Sequence, residues 1–251
     1  HPPAEWIIAD NGSTDGTYEW LLEAAATSRF PVKVLPLRGQ TIARMMNTAI
    51  AKAMGDTIAC CHGGTRIPAN WLEKLLAPFE KDAELDVVAG VWQPYGEHPS
   101  EKWIASTIPM DLSQINEPRF LPASRSLAFK KAAWARVDGF PEWLPRFGED
   151  TLFAIRLRES GLKVAVARDA VVGWRPKASL TQYMRQERLY TEANTVMGLT
   201  GFSWKTFLRP WVLIGLAVVA RVGGASWACA LLSALMLGAL DTLRLKRKGL
   251  G

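Results

Sequence analysis

Cysteine is scarce: three thiols in 251 residues, Cys60, Cys61 and Cys229. Two are adjacent and the third lies in an apolar stretch. No disulfide framework can be built from them, and free thiols in a reducing compartment are expected. The chain also lacks Gly-x-Gly-x-x-Gly and any Walker lysine motif, which removes the common dinucleotide-binding and P-loop classes. An excess of one charge is nearly lacking too. Thirty Lys and Arg stand against 24 Asp and Glu, and four of the basic residues (Arg244, Lys246, Arg247, Lys248) crowd the last eight positions. What remains elsewhere is too small for a dedicated nucleic-acid surface, so no nucleic-acid partner is expected. Disorder, collagen and disulfide scaffolds are excluded by 49% apolar and 22% charged residues, a composition that supports a real core. The first residue is His1, not Met, and the chain enters the apolar run Trp6-Ile7-Ile8-Ala9 with no signal peptide before it. It reads as a segment of a longer protein.

From residue 5 to about 170, strand-like and helix-like patterns alternate. Glu5–Asp10 reads as a buried strand running into the turn-rich Asn-Gly-Ser-Thr-Asp-Gly. Thr17–Thr27 reads as a helix and Val32–Leu35 as a strand. Ile42–Met54 carries apolar residues at helical spacing and ends where Gly55 stands at the C-cap position. Thr57–Cys61, Asp86–Val91 and a helix over Asn70–Glu80 follow. This alternation predicts an α/β fold with a mostly parallel sheet flanked by helices. Ligands in such sheets bind at the carboxyl ends of strands, after Ile8, Leu35 and Ala59.

The last forty residues are different. Pro210–Leu240 is an apolar run of about 31 residues, long for one bilayer span and short for two. A hairpin turning near Arg221-Val222-Gly223-Gly224 keeps both ends on one side, and the basic tail places that side in the cytoplasm. An amphipathic helix on the membrane surface, or a buried core helix, is the competing reading.

Asp10 ends the first strand, where burial of a carboxylate is costly unless it is paired. There it can accept from a uracil imide or from ribose hydroxyls. Ser13, Thr14 and Asp15 are also good helix caps. Glu5-Trp-Ile-Ile-Ala-Asp-Asn-Gly-Ser-Thr-Asp-Gly-Thr resembles the second-strand signature of the family 2 glycosyltransferases, which have the GT-A fold. The resemblance continues in order through Gly39, Asn47, Ala51 and Ala53-Met-Gly-Asp56, and then through Thr57-Ile-Ala-Cys-Cys-His-Gly-Gly-Thr-Arg. Ser124-Arg-Ser-Leu-Ala-Phe-Lys-Lys, Val137-Asp-Gly-Phe-Pro-Glu, Gly148-Glu-Asp-Thr and Gly161-Leu-Lys-Val-Ala-Val complete it. It covers about residues 4–195. It implies a catalytic domain over 1–205 that lacks the family's first strand, and a membrane-embedded hairpin over 206–251.

The resemblance further implies a nucleotide-sugar donor bound near Asp10, Asn11, Asn47, Arg44, His62, Gly63, Gly64 and Arg66. Ser124, Arg125, Trp174, Arg175, Gln186 and Arg188 fall on the acceptor or phosphate side. Glu149-Asp150 occupies the catalytic position, with Asp150 as the general base that takes the acceptor proton; the competing reading is a helix start favoured by the macrodipole. Arg185-Gln-Glu-Arg-Leu-Tyr190 resembles the family's Gln-x-x-Arg-Trp element, with Leu189 and Tyr190 at the Arg-Trp positions, and reads equally as a basic helix against lipid headgroups. Trp92, Trp103, Trp134 and Trp143 are either a sugar-stacking floor or core.

Three ligand positions depart from the family pattern. His62 and Gly64 stand where the Asp-x-Asp metal motif is usual, and Trp174 replaces a later His. A hard Mg²⁺ or Mn²⁺ wants oxygen ligands, and His62 is the one candidate left, alternatively a hydrogen-bonded strand-end histidine. Cationic side chains such as Arg66, Arg175 or Arg188 handle the diphosphate instead, or the site is weakened. The implied activity is inverting sugar transfer from a nucleotide-sugar to a glycan or glycolipid acceptor, lipid-linked or polysaccharide, at the cytoplasmic face of the inner membrane among its lipids. A degenerate module that binds nucleotide or glycan without turnover is the alternative.

Overall fold

The computed structural model describes residues 2–108, 112, 115–117, 120–144 and 147–199. The apolar run at the start forms strand β1 (Trp6–Asp10), which pairs in parallel with β2 (Val32–Pro36) across helix α1 (Thr17–Ala26). Helix α2 (Ile42–Lys52) follows, opened by Thr41, whose hydroxyl accepts from the Arg44 backbone N–H. Its end differs from the expectation at Gly55. The chain turns extended at Ala53, and Gly55 does not take the left-handed conformation of a glycine cap. The reason is a side chain from elsewhere: Lys131 Nζ donates to Ala51 O and Ala53 O at 3.3 and 2.7 Å. The helix's orphan carbonyls are thereby satisfied without a Schellman turn.

The rest of the strands form a second sheet: β3 (Thr57–Cys60), β4 (Thr65–Arg66), β5 (Val87–Pro94), β6 (Leu127–Lys130) and β7 (Val164–Trp174), in the order β3-β6-β5-β7-β4. Helices α3 (Trp71–Lys81), α4 (Pro99–Ser106), α5 (Lys131–Arg136), α6 (Glu149–Glu159) and α7 (Leu180–Val196) connect or follow them. This sheet is mixed, not mostly parallel as the alternation predicts. Only β5 and β7 run parallel; β6 is antiparallel to both of its neighbours, and β4 to β7. The alternation rule holds for strand–helix–strand crossovers. β6 instead follows α4 and inserts between β3 and β5 in the reverse direction.

Both faces of the five-stranded sheet are covered, because successive residues serve opposite sides. Val87, Leu127 and Phe129 pack with Ala43 and Ile50 of α2, Ala133 of α5, and Phe153 and Leu157 of α6. Their neighbours Val88 and Ala128 pack with Trp71 and Leu75 of α3 and with Val172. Gly90 sits at a register shift in β5. A Cβ there would lie 2.0 Å from Ser126 Oγ and 2.9 Å from Ala170 O, so no side chain fits.

The described residues belong to one compact unit, His1–Leu199. None of their helices is long and apolar enough to cross a membrane. The expected hairpin over 206–251 lies outside the described residues.

Candidate active site

The antiparallel pairing of β3 with β6 sets Cys60 opposite Leu127. Residues leaving β3 therefore meet residues entering β6. His62 Nε2 lies 2.9 Å from Ser124 Oγ as a result, and Ser124 is 1% exposed. Ser126 is equally buried and donates to Ala170 O, while accepting from Trp71 Nε1. Arg125 is held between these two pinned serines. Its guanidinium stands 4.9 Å from the ring centre of Trp92 and 5.2 Å from that of Trp174, which meet each other edge-to-face at 5.4 Å. Both tryptophans reach this end of the sheet through the β5–β7 pairing, in which Trp92 faces Val172 and Pro94 faces Trp174.

Helix α6 brings the acids. Gly148 caps it in the left-handed conformation, φ 92°, and a Cβ there would fall 2.7 Å from Met197 Cε. Asp150 Oδ1 accepts from the Thr151 backbone N–H at 2.8 Å; among the described residues no donor is bonded to Oδ2. Glu149 is buried, and its pKa is pushed up to about 7 by burial first and by the charge of Asp150 second. His62 moves the other way: burial lowers its pKa, the charge of Asp150 works against that, and Arg125 adds to it. The imidazole is neutral at neutral pH. Helix α7 closes the group. Gln186 Nε2 donates to Tyr190 Oη at 2.8 Å, and the phenol ring meets Phe147 edge-on at 5.0 Å. The Tyr190 pKa is raised, by burial first, with the charges of Arg125 and Asp150 both reaching it.

His62, Ser124, Arg125, Trp174, Glu149, Asp150 and Gln186 thus converge on one region. The other expected residues are engaged elsewhere. Asp10 binds within its own loop: Gly12 N, Ser13 N and Ser13 Oγ all donate to it. The Ser13 hydroxyl, followed by those backbone donors, holds its pKa below the usual carboxylate range. Ser13 therefore organises Asp10, whereas Asp15 accepts from Thr17 N at the helix start. Asn11 exchanges two hydrogen bonds with Gln40. Asn47 has no free hydrogen-bonding capacity, since its amide donates to Phe140 O and Glu142 and accepts from Trp134 Nε1 and Phe140 N. It positions the loop ahead of α6. Arg44 is exposed on α2. Gly63 and Gly64 form the turn between β3 and β4, with open space where side chains would stand.

Arg66 and Arg175 neighbour the site but are paired. Arg66 stacks on Tyr95 and bonds Glu97 at 2.9 Å; Arg175 bonds Glu97 at 3.2 Å and the buried Glu101 at 3.0 Å. Arg188 pairs with Glu192 along α7. Of the four tryptophans offered as a sugar floor, only Trp92 stands here. Trp134 bonds Asn47, Trp103 and Trp143 are 58% exposed, and Trp143 lines a separate cleft of about 670 Å³ with Asn47, Glu142 and Arg156.

The acid pair Glu97/Glu101 was not singled out from the sequence, whereas Tyr190 stands there only as part of the Gln-x-x-Arg-Trp resemblance, with its i+4 spacing from Gln186 as a further signal. The two acids carry none, because their partners lie some 30 to 80 positions away in sequence. For a divalent metal the residues do not fit: His-Gly-Gly at 62–64 offers no carboxylate, the imidazole faces Ser124, and Arg125 supplies like charge beside it. Among the described residues no group of three His, Cys, Asp or Glu side chains comes together around a possible ion.

The raised pKa of Glu149 sets a pH dependence. In the unfolded chain this carboxyl loses its proton near 4.5; in the folded protein it holds it to about 7. Between those values the unfolded state binds fewer protons, so stability falls as pH rises and stays lowered above 7. At 1.36 kcal/mol per pKa unit the full effect is about 3 kcal/mol. Glu149→Gln is expected to remove most of this slope. Urea unfolding of both proteins at pH 5 and pH 8 checks it, and equal slopes would refute it.

The comparisons with known proteins agree with this architecture. A mannosyltransferase from Pyrobaculum calidifontis, PcManGT in complex with GDP-Man and Mn²⁺, superposes with a TM-score of 0.64 at 19% identity. The match covers 98% of this chain and 73% of that one. TarS of S. aureus (residues 1–349) superposes with a TM-score of 0.53 at 16% identity, covering 88% and 73%. No curated protein matches the sequence. The fold is therefore α/β and GT-A-like, with a mixed sheet flanked by helices. Residues 1–142 match the glycosyl transferase family 2 description, and the chain belongs to that family.

Proposed function

We propose that the protein transfers one sugar from a nucleotide-sugar to a hydroxyl of a lipid-linked or polysaccharide acceptor, with inversion. The observation that carries this reading is the placement of Asp150 at the mouth of α6, with one oxygen unbonded among the described residues, within electrostatic reach of His62 and Tyr190. As the acceptor oxygen attacks the anomeric carbon its proton passes to Asp150. The bond to the diphosphate breaks on the opposite side in the same step. Glu149, largely protonated below pH 7, adds little like charge to the base. The two solved neighbours are a GDP-Man complex and, for TarS, a structure with UDP-GlcNAc, which supports a nucleotide-sugar donor. The apolar run over Pro210–Leu240 and its basic end support an inner-membrane anchor, with this domain on the cytoplasmic side where activated sugars are made.

A second reading, a module that binds nucleotide or glycan without turnover, is favoured by one feature, the missing carboxylates at 62 and 64. Donor screening separates the two. The full-length protein in membranes is expected to consume one nucleotide-sugar and give a product whose linkage NMR shows to be inverted. Donor binding with no turnover of any sugar-nucleotide would leave only the module.

A further inference from the structure

The family's resemblance implies that a carboxylate-bound metal neutralises the leaving diphosphate, and the residues at 62–64 do not provide for one. Positive charge must then come from elsewhere. Three of the four arginines around the site are already engaged: Arg66 and Arg175 by Glu97 and Glu101, Arg188 by Glu192. Arg125 is the exception: its side chain meets the Tyr190 phenol and not a carboxylate. No carboxylate among the described residues lies within ion-pair distance of it, and its Nη1 is buried without a hydrogen-bond partner. A buried donor left unbonded costs about 1–3 kcal/mol, more for a charged group, so its retention calls for an occupant. The opposite gap stands nearby on α7, where Gln186 Oε1 is a buried acceptor without a donor.

The guanidinium is also pre-organised. Trp92 and Trp174 pack against it at 4.9 and 5.2 Å, and the buried Ser124 and Ser126 fix the backbone on either side. A planar guanidinium fork suits bidentate contact with phosphate oxygens. Its positive charge and the glycine turn at 63–64, open where side chains would stand, belong to the same end of the sheet. A glycine turn of this kind lets a phosphate approach the backbone closely.

We propose that Arg125 binds the nucleoside diphosphate of the donor in place of a metal ion, so that the site takes its donor without a divalent cation. This rests on the glycosyl-transfer reading. During transfer the anomeric carbon–oxygen bond to the β-phosphate breaks, and its electron pair stays on the departing diphosphate. One further negative charge thus develops beside the Arg125 guanidinium. The new bond forms to the acceptor oxygen, whose proton goes to Asp150.

The test is calorimetric titration of UDP and GDP into the full chain in detergent, in EDTA and then in Mn²⁺. In EDTA one of the two is expected to bind. Arg125→Met should weaken it about tenfold to a hundredfold, the range of one or two charge-assisted hydrogen bonds. Arg125→Lys should recover part of the loss, because it restores charge without the fork. Thermal unfolding of both variants guards against misfolding, and Arg125→Lys carries the test if Arg125→Met does not fold. Binding that needs Mn²⁺, or affinity unchanged in the variants, overturns the role of Arg125 and leaves sugar transfer standing. Binding of neither nucleotide under any condition overturns both.

Discussion

Asp150→Asn is expected to lower sugar transfer by about two to four orders of magnitude while leaving the fold intact. The size is that of a positioned general base. The intact fold follows from local geometry, since Oδ1 accepts from Thr151 N and an asparagine oxygen can do the same. Asparagine cannot take up the acceptor proton at the other position. A second signature separates loss of the base from disturbance of the helix start. The charge of Asp150 contributes to the raised pKa of Glu149, so its removal should let Glu149 lose its proton at lower pH. Turnover within a few-fold of the parent protein, in a variant whose Glu149 titration has moved, would reject the assignment.

Phe153→Ala should be the most damaging single truncation for stability, at about 3–5 kcal/mol. The side chain is fully buried. It stacks on Phe140 with ring centres 4.0 Å apart and meets Phe129 edge-on at 5.4 Å. It ties the middle of α6 to the sheet through β6 and to the loop that Asn47 fixes from α2. Three elements therefore lose a common partner at once. Urea unfolding measures the effect; a loss below about 1.5 kcal/mol would mean that the cluster closes over the gap. Transfer activity should fall with it even under folding conditions, because Glu149 and Asp150 begin the same helix.

Much of this was legible in the sequence. Trp6–Asp10, Ile42–Lys52 and Trp71–Lys81 show their period and their punctuation, and they form within a residue or two of expectation at their starts. The acids at 149–150 stand out through the family resemblance of Gly148-Glu-Asp-Thr; the local pattern alone reads equally as a helix start. Strand direction was not legible. An apolar stretch such as Leu127–Lys130 reads the same whichever way it pairs, and its reversal is what carries Arg125 to the end of β3. The end of α2 was hidden for a similar reason, since Lys131 completes it from 78 to 80 positions away. Asn47 is the clearest case of a polar residue whose appearance suggests a ligand while its partners are structural. Its four bonds reach residues some 90 positions later, beyond the range of any local pattern.

Strand β5 acts as a party wall between two rooms. Val87 looks only toward the aromatic cluster, and Val88 only toward the α3 side. Changes in side-chain volume made behind α3 should consequently sum independently with changes made behind α6, as they do for sites without shared neighbours. The aromatic cluster under Asp150 is insulated from drift in the other half. The α3 room is not equally free, because Trp71 and Trp92 tie it to Ser126 and Arg125, so remodelling there is felt on the phosphate side and spares the acids.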